Sequence, residues 1–205
     1  DDHVVRGEVP ARGVEDGGVI GDALRDDSVS RLGHDRFGGA DVLQWEEIPL
    51  PPPAAGEVTI RQTAIGLNFI DTYHRSGLYP LTLPAVIGTE AAGVVEALGP
   101  DARGIAVGDR VAYAGLPPGA YAARRNWPAE RLVKLPAGIT DEVAASVMLK
   151  GLTAWYLLRR SHRVQAGDPV LVYAAAGGTG TLLSQWAAAL GARVIGVVSS
   201  AAKAT

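Results

Sequence analysis

The chain has 205 residues, 47% of them hydrophobic and 20% charged, which is enough for one large or two small globular domains. No uninterrupted apolar run of about 18 residues occurs, so no segment qualifies as a membrane-spanning helix, and a formal net charge of -3 without a basic tract gives nucleic acid no electrostatic footprint. Zero cysteines exclude disulfides, thiolate nucleophiles and cysteine-ligated zinc, and a cytoplasmic location fits.

The first 36 residues carry nine acids and five arginines, a net of -4 against +1 for the remainder. Their apolar residues follow neither the helical nor the strand period, and the expected state is a disordered extension. From Phe37 the pattern is that of a folded protein. Residues 37–43 read as a turn, 43–48 as a short strand, and the proline-rich run 49–53 as an extended linker that cannot join a sheet interior. Residues 58–65 alternate, which puts Val58 and Ile60 toward a core and Thr59 and Arg61 toward water. Further strands are expected at 91–98, 110–113 and 131–135, in a barrel-like, all-β spacing.

At Pro136 the character changes. Thr140-Asp-Glu142 supplies a hydroxyl cap and first-turn acids for a helix that Gly151 is expected to interrupt. Trp155, in its continuation, reads as core. Residues 168–200 then read as strand, tight turn, helix and strand, a βαβ unit whose parallel strands need a crossover helix. The turn Ala174-Ala-Ala-Gly-Gly-Thr-Gly180 fills a G-x-G-x-x-G spacing with Ala175, Gly177 and Gly180, and Gly178 and Thr179 lie between them. Glycines there let backbone N–H groups approach a pyrophosphate without an intervening Cβ; a merely structural βαβ turn is the plainer reading. No acid follows Val198, where a ribose 2′-hydroxyl would call for one. Ser199, Ser200 and Lys203 suit a 2′-phosphate, hence NADP(H), or else a helix cap and a solvated cation.

A β domain followed by helices and this βαβ unit resembles the medium-chain dehydrogenase/reductase superfamily. The segments 64–73, 75–80, 107–111, 149–153 and 174–180 are similar to those of its quinone oxidoreductases, the zeta-crystallin-like NADPH:quinone reductases. The resemblance implies an α/β protein with an N-terminal all-β part. A GroES-like (chaperonin-10-like) barrel over residues 37–150 is followed by a partial Rossmann domain over 151–205, with residues 1–36 outside the family. A Rossmann sheet has about six strands, so the chain is expected to be a C-terminally truncated member.

Zinc-dependent relatives place a cysteine where this chain has Asn68 and a histidine where it has Thr89. The resemblance therefore implies a zinc-free member, and the four histidines have no ligand spacing and read as surface or packing residues. The implied catalytic positions are Asn68, an amide able to bond the nicotinamide region, Tyr73 and Tyr79, phenols able to line or polarise a quinone, and Asp71, which orients one of them. Asn68 as a turn residue, Asp71 as a helix cap and the tyrosines as packed rings are the structural alternatives. Lys150 and Thr153 match residues on the nicotinamide and ribose side of the cofactor, although a lysine there can also snorkel to solvent. The implied activity is NADPH-dependent reduction of a quinone. An enoyl or alkenal reductase, and a non-catalytic NADP(H)-binding remnant, are the alternatives. A small-molecule quinone or conjugated carbonyl is the expected partner, and a homodimer is the family's habit.

Overall fold

The computed structural model describes residues 28–204. By internal contacts the chain divides into two units after Ser146, four residues earlier than expected.

The first unit is built from antiparallel strands. β1 (Ser28–His34), β2 (Gln44–Pro49) and β4 (Ala85–Val86) form a three-stranded sheet in the order β2-β1-β4. β3 (Glu57–Ile65), β5 (Glu90–Leu98), β6 (Arg110–Ala114), β7 (Arg124–Pro128) and β8 (Val133–Lys134) form a five-stranded sheet in the order β7-β3-β5-β6-β8. Backbone of residues 121–123 stitches the sheets together, with Leu32 donating to Tyr121 O, Ala123 to Ser30 O and Gln62 to Ala123 O. This closure leaves fewer open edges, the usual barrel solution.

The core beneath comprises Val58, Ile60, Val95, Val111, Tyr113 and Trp127 with smaller alanines. Tyr113 and Trp127 stack with centroids 4.5 Å apart, and the Arg125 guanidinium lies 4.2 Å over the Trp127 ring. The same guanidinium donates to the Pro117 and Pro118 carbonyls, so a single side chain caps the core and ties down the loop before β7.

Three local expectations give way here. The extension expected to be disordered includes β1; residues 1–27 lie outside the described residues. Few apolar residues mark β1 because its order comes from backbone pairing on both sides and from the Arg31–Glu46 ion pair at 3.0 Å. Thr59 is buried rather than wet, since its hydroxyl donates to Asn126 Oδ1 at 2.7 Å on neighbouring β7. The strand expected at 131–135 shortens to β8, because Ala129–Arg131 form a 3-10 turn.

α1 (Phe69–Ser76) interrupts the β pattern and ends at Gly77, whose φ of 83° gives the left-handed turn that closes the helix. α2 (Asp141–Tyr156) starts with Thr140 Oγ1 accepting the Val143 N–H, and Arg110 bonds Asp141 at 2.6 Å. It runs through Gly151 without interruption, an interior glycine costing about 1 kcal/mol relative to alanine. Leu157–Ser161 continue it as a π-helical turn. Trp155, expected in the core, is 42% exposed.

The second unit contains β9 (Pro169–Tyr173), α3 (Gly178–Ala189) and β10 (Arg193–Val197), with β9 and β10 parallel and in register from Pro169↔Arg193 to Tyr173↔Val197. Leu183, Trp186 and Leu190 of α3 pack with Val170 and Val194 over Leu158, Val164 and Ala187. Leu171, Tyr173, Ile195 and Val197 are exposed.

Candidate active site

In the first unit the candidate residues gather around the start of α1. Asn68 caps this helix in extended conformation, and its backbone N–H donates to Asp71 Oδ2 at 2.8 Å, a reciprocal arrangement that satisfies an orphan helix donor. The Asn68 side-chain amide donates to Glu90 Oε1 at 2.6 Å. Asp71 Oδ2 also accepts the Tyr121 hydroxyl at 3.2 Å. Asn68, Asp71 and Glu90 are all buried. Burial pushes the Asp71 carboxyl up to about 6, and the Glu90 charge adds to this, while donation from Asn68 and Tyr121 opposes it. Burial, then the neighbouring Asp71 carboxylate, raises the Tyr121 phenol well above its usual range.

Tyr73, half-buried, and Tyr79, exposed, form an aromatic wall beside this buried cluster. Their rings meet edge to face at 5.3 Å, and Phe69, 80% exposed, adds a third ring 6.2 Å from Tyr73. The Tyr79 N–H donates to Tyr73 O at 3.2 Å, which fixes the loop after α1 against the helix. The structure thus brings Asn68, Asp71, Tyr73 and Tyr79 onto one short helix and its flanks. Asp71 bonds Asn68 and Tyr121, not either of the two tyrosines it was expected to orient. Sequence reading passed over Tyr121 and Phe69; the only signal for the first is Gly88, whose missing side chain seats the Tyr121 ring.

Thr89 is buried, and its Oγ1 finds no hydrogen-bond partner. His34 and His74 are buried packing residues, and burial lowers His74.

In the second unit the glycine turn lies between β9 and α3. Ala174 has a φ of 51°, a left-handed conformation uncommon for a residue with a Cβ, and Gly177 caps α3. A Cβ on Gly180 would fall 2.2 Å from Ala174 O, so the tight turn requires glycine there. Lys150 of α2 reaches the first residue of α3, and Thr153 turns its hydroxyl back to Leu149 O at 2.9 Å. Ala174, Ala176, Gly177, Val197, Ser199 and Lys203 line a cleft of about 340 Å³ at the carboxyl ends of β9 and β10. Ala175 donates its N–H to Val197 O, Thr179 lies in the first turn of α3, and Lys203 Nζ donates to Ser199 Oγ at 3.3 Å. The cleft thus offers a helix N-terminus, a hydroxyl and an ammonium, which are groups that suit phosphate.

Residues 54–137 match the alcohol dehydrogenase GroES-like domain. Over 169 residues the chain is 52% identical to a quinone oxidoreductase of Pseudomonas aeruginosa, covering 82% of this chain and 52% of that protein. The chain is a homologue of the quinone oxidoreductases. It matches the structure of Escherichia coli quinone oxidoreductase complexed with NADPH at a TM-score of 0.83 and 47% identity, over 85% of this chain and 54% of that one. A Burkholderia 2-haloacrylate reductase is 50% identical over 173 residues, or 82% of this chain and 52% of that protein. The chain spans about half the length of these quinone oxidoreductase relatives. The fold accordingly combines a GroES-like β domain with a βαβ unit of Rossmann type, and no helix among the described residues is long and apolar enough to cross a membrane.

Proposed function

We propose that this chain carries the GroES-like domain and the first βαβ unit of an NADPH-dependent, zinc-independent quinone oxidoreductase. The observation that carries this reading is the cleft at the head of α3, where Gly177, Ser199 and Lys203 line one space and no carboxylate is among its lining residues. The residues fit the cofactor: glycine backbone can approach a pyrophosphate, and Ser199 and Lys203 suit a 2′-phosphate. Bound NADPH would supply the hydride.

The chain's own residues have four roles in this reading. Ala175, Gly177, Gly178, Thr179 and Gly180 hold the pyrophosphate at the α3 N-terminus. Lys150 and Thr153 bind the ribose and nicotinamide side. Tyr73 and Tyr79 present an aromatic wall to the quinone ring, and Asn68, held by Glu90 and Asp71, offers an amide to the reacting groups. Orientation and polarisation by such groups are the means a reductase without a Lewis acid has available. Zinc independence is supported by the donors themselves, since Asn68 offers only a neutral amide and Thr89 only a neutral hydroxyl where thiolate or imidazole would be needed. We assign the protein to the cytoplasm as a homodimer, with a small-molecule quinone as its partner and without nucleic acid.

NADPH titration followed by NADPH oxidation with a simple benzoquinone tests the reading. Saturable binding with turnover above a protein-free control is expected. Absence of binding would overturn it and leave the chain as a non-catalytic remnant.

A further inference from the structure

Two glycines in the first unit leave room for two particular side chains. Gly88 has a φ of 95°, and a Cβ on it would lie 2.4 Å from Tyr121 Cδ1; a Cβ on Gly66 would lie 2.1 Å from Ala145 O and 2.5 Å from both Cγ and Oε1 of Glu90. The side chains they admit both bear on Asn68, Glu90 directly and Tyr121 through Asp71. Glu90 takes the Asn68 amide directly, at 2.6 Å. Tyr121 donates to Asp71 Oδ2, the oxygen that also receives the Asn68 backbone N–H. Two buried carboxyls this close are a poor way to stabilise a fold, because the desolvation of each is repaid only where a hydrogen bond meets it. Among the described residues Asp71 Oδ1 finds no hydrogen bond of ordinary geometry, although the Gly88 backbone also favours the Asp71 anion. Structure alone would be served as well by apolar packing, so the arrangement points to the geometry of Asn68.

We propose that Tyr121 is a positioning residue, acting through Asp71 to hold Asn68 and the start of α1 in the one orientation that presents the Asn68 amide beside Tyr73 and Tyr79. This rests on the reading of those three residues as the quinone wall. The titratable groups facing the Asp71–Tyr121 pair are Glu90 from β5 and Arg75 from α1, with the buried His74 and His34 packed at the far end of α1. Removing the phenolic hydroxyl removes a donor that favours the Asp71 anion, so Asp71 then protonates at higher pH.

The test uses the full 205-residue chain, labelled with ¹⁵N, and compares wild type with Tyr121→Phe. In wild type the Asn68 side-chain amide resonances are expected to move between pH 8 and 5 with an inflection near 6. In Tyr121→Phe the inflection moves upward by roughly half a pH unit or more, while NADPH affinity stays within about twofold and the ratio kcat/KM for benzoquinone falls by roughly tenfold. Asn68 resonances identical in the two proteins would overturn the proposal. Should Tyr121→Phe fail to fold, Asp71→Asn keeps both acceptor contacts, and an Asn68 pH response that survives in it would overturn the proposal equally. Wild type that neither binds NADPH nor turns over would sink the oxidoreductase reading instead, and the Asn68 resonances would still decide the positioning role.

Discussion

Lys150 lies across Gly178, so close that a Cβ on the glycine would fall 2.9 Å from Cδ and Cε of the lysine. The obstacle is the far end of a flexible side chain, so Gly178→Ala is expected to fold with a thermal midpoint within a few degrees of wild type while Lys150 swings away. NADPH affinity should then fall by as much as in Lys150→Ala, on the order of tenfold. Gly180→Ala is the contrasting case, because its Cβ would meet the Ala174 carbonyl at 2.2 Å and backbone must move. We expect it to lower stability by about 2 kcal/mol or more and to abolish binding, as thermal melts and titration of the pair will show.

Lys203 and Ser199 line the cleft together, a pair that in the proposed reading receives a 2′-phosphate. Lys203→Ala should therefore weaken NADPH by about tenfold and leave NADH unchanged within about twofold. Parallel fluorescence titrations with the two dinucleotides measure this, and an equal loss for both would remove Lys203 from the phosphate site.

Asp71 makes stability depend on pH. Its carboxyl is raised from 3.8 to about 6, so the folded chain holds this proton more tightly than the unfolded chain does. The contribution favours folding fully below about pH 4 and is lost as pH rises through about 6, a change on the order of 3 kcal/mol. Asp71→Asn keeps the acceptor without the charge. Urea unfolding at pH 4.5 and pH 7 should show the variant gaining on wild type as pH rises.

Trp127 is 2% exposed between Tyr113 and Arg125. Trp127→Ala should cost about 3–5 kcal/mol by leaving a cavity and freeing Arg125 from its ring. Denaturant titration by circular dichroism reads this directly.

In the proposed reading turnover should survive dialysis against EDTA, because Asn68 and Thr89 offer neutral side chains where the resemblance puts zinc ligands. A loss restored by added Zn²⁺ would contradict the metal-free reading.

Much of the fold was legible because it follows periodicity and turn chemistry. The alternation of Val58 and Ile60, the Thr140 cap and the glycine turn before α3 are local signals, and each lies where its element does. What escaped depended on partners distant in sequence. β1 has only Val29 and Leu32 to mark it and is ordered by pairing with β2 and β4. Thr59 is buried because Asn126 meets it, and Tyr121 reaches Asp71 across 50 residues. Asn68 and Asp71 were visible as a motif, whereas the grip of Glu90 on the Asn68 amide was not.

The four tryptophans fall two to each unit, and their surroundings differ enough to make them separate reporters. Trp127, sealed between a phenol and a guanidinium, should emit toward the blue and shift red only when the β domain opens. Trp155, 42% exposed on α2, and Trp186, half-buried on α3, belong to the unit that carries the cleft at the ends of β9 and β10. Replacing Trp45, 69% exposed on β2, with phenylalanine would remove the remaining solvent-facing signal of the first unit. A single emission spectrum would then resolve cofactor-linked changes at α2 and α3 from melting of the barrel, with no added dye or label.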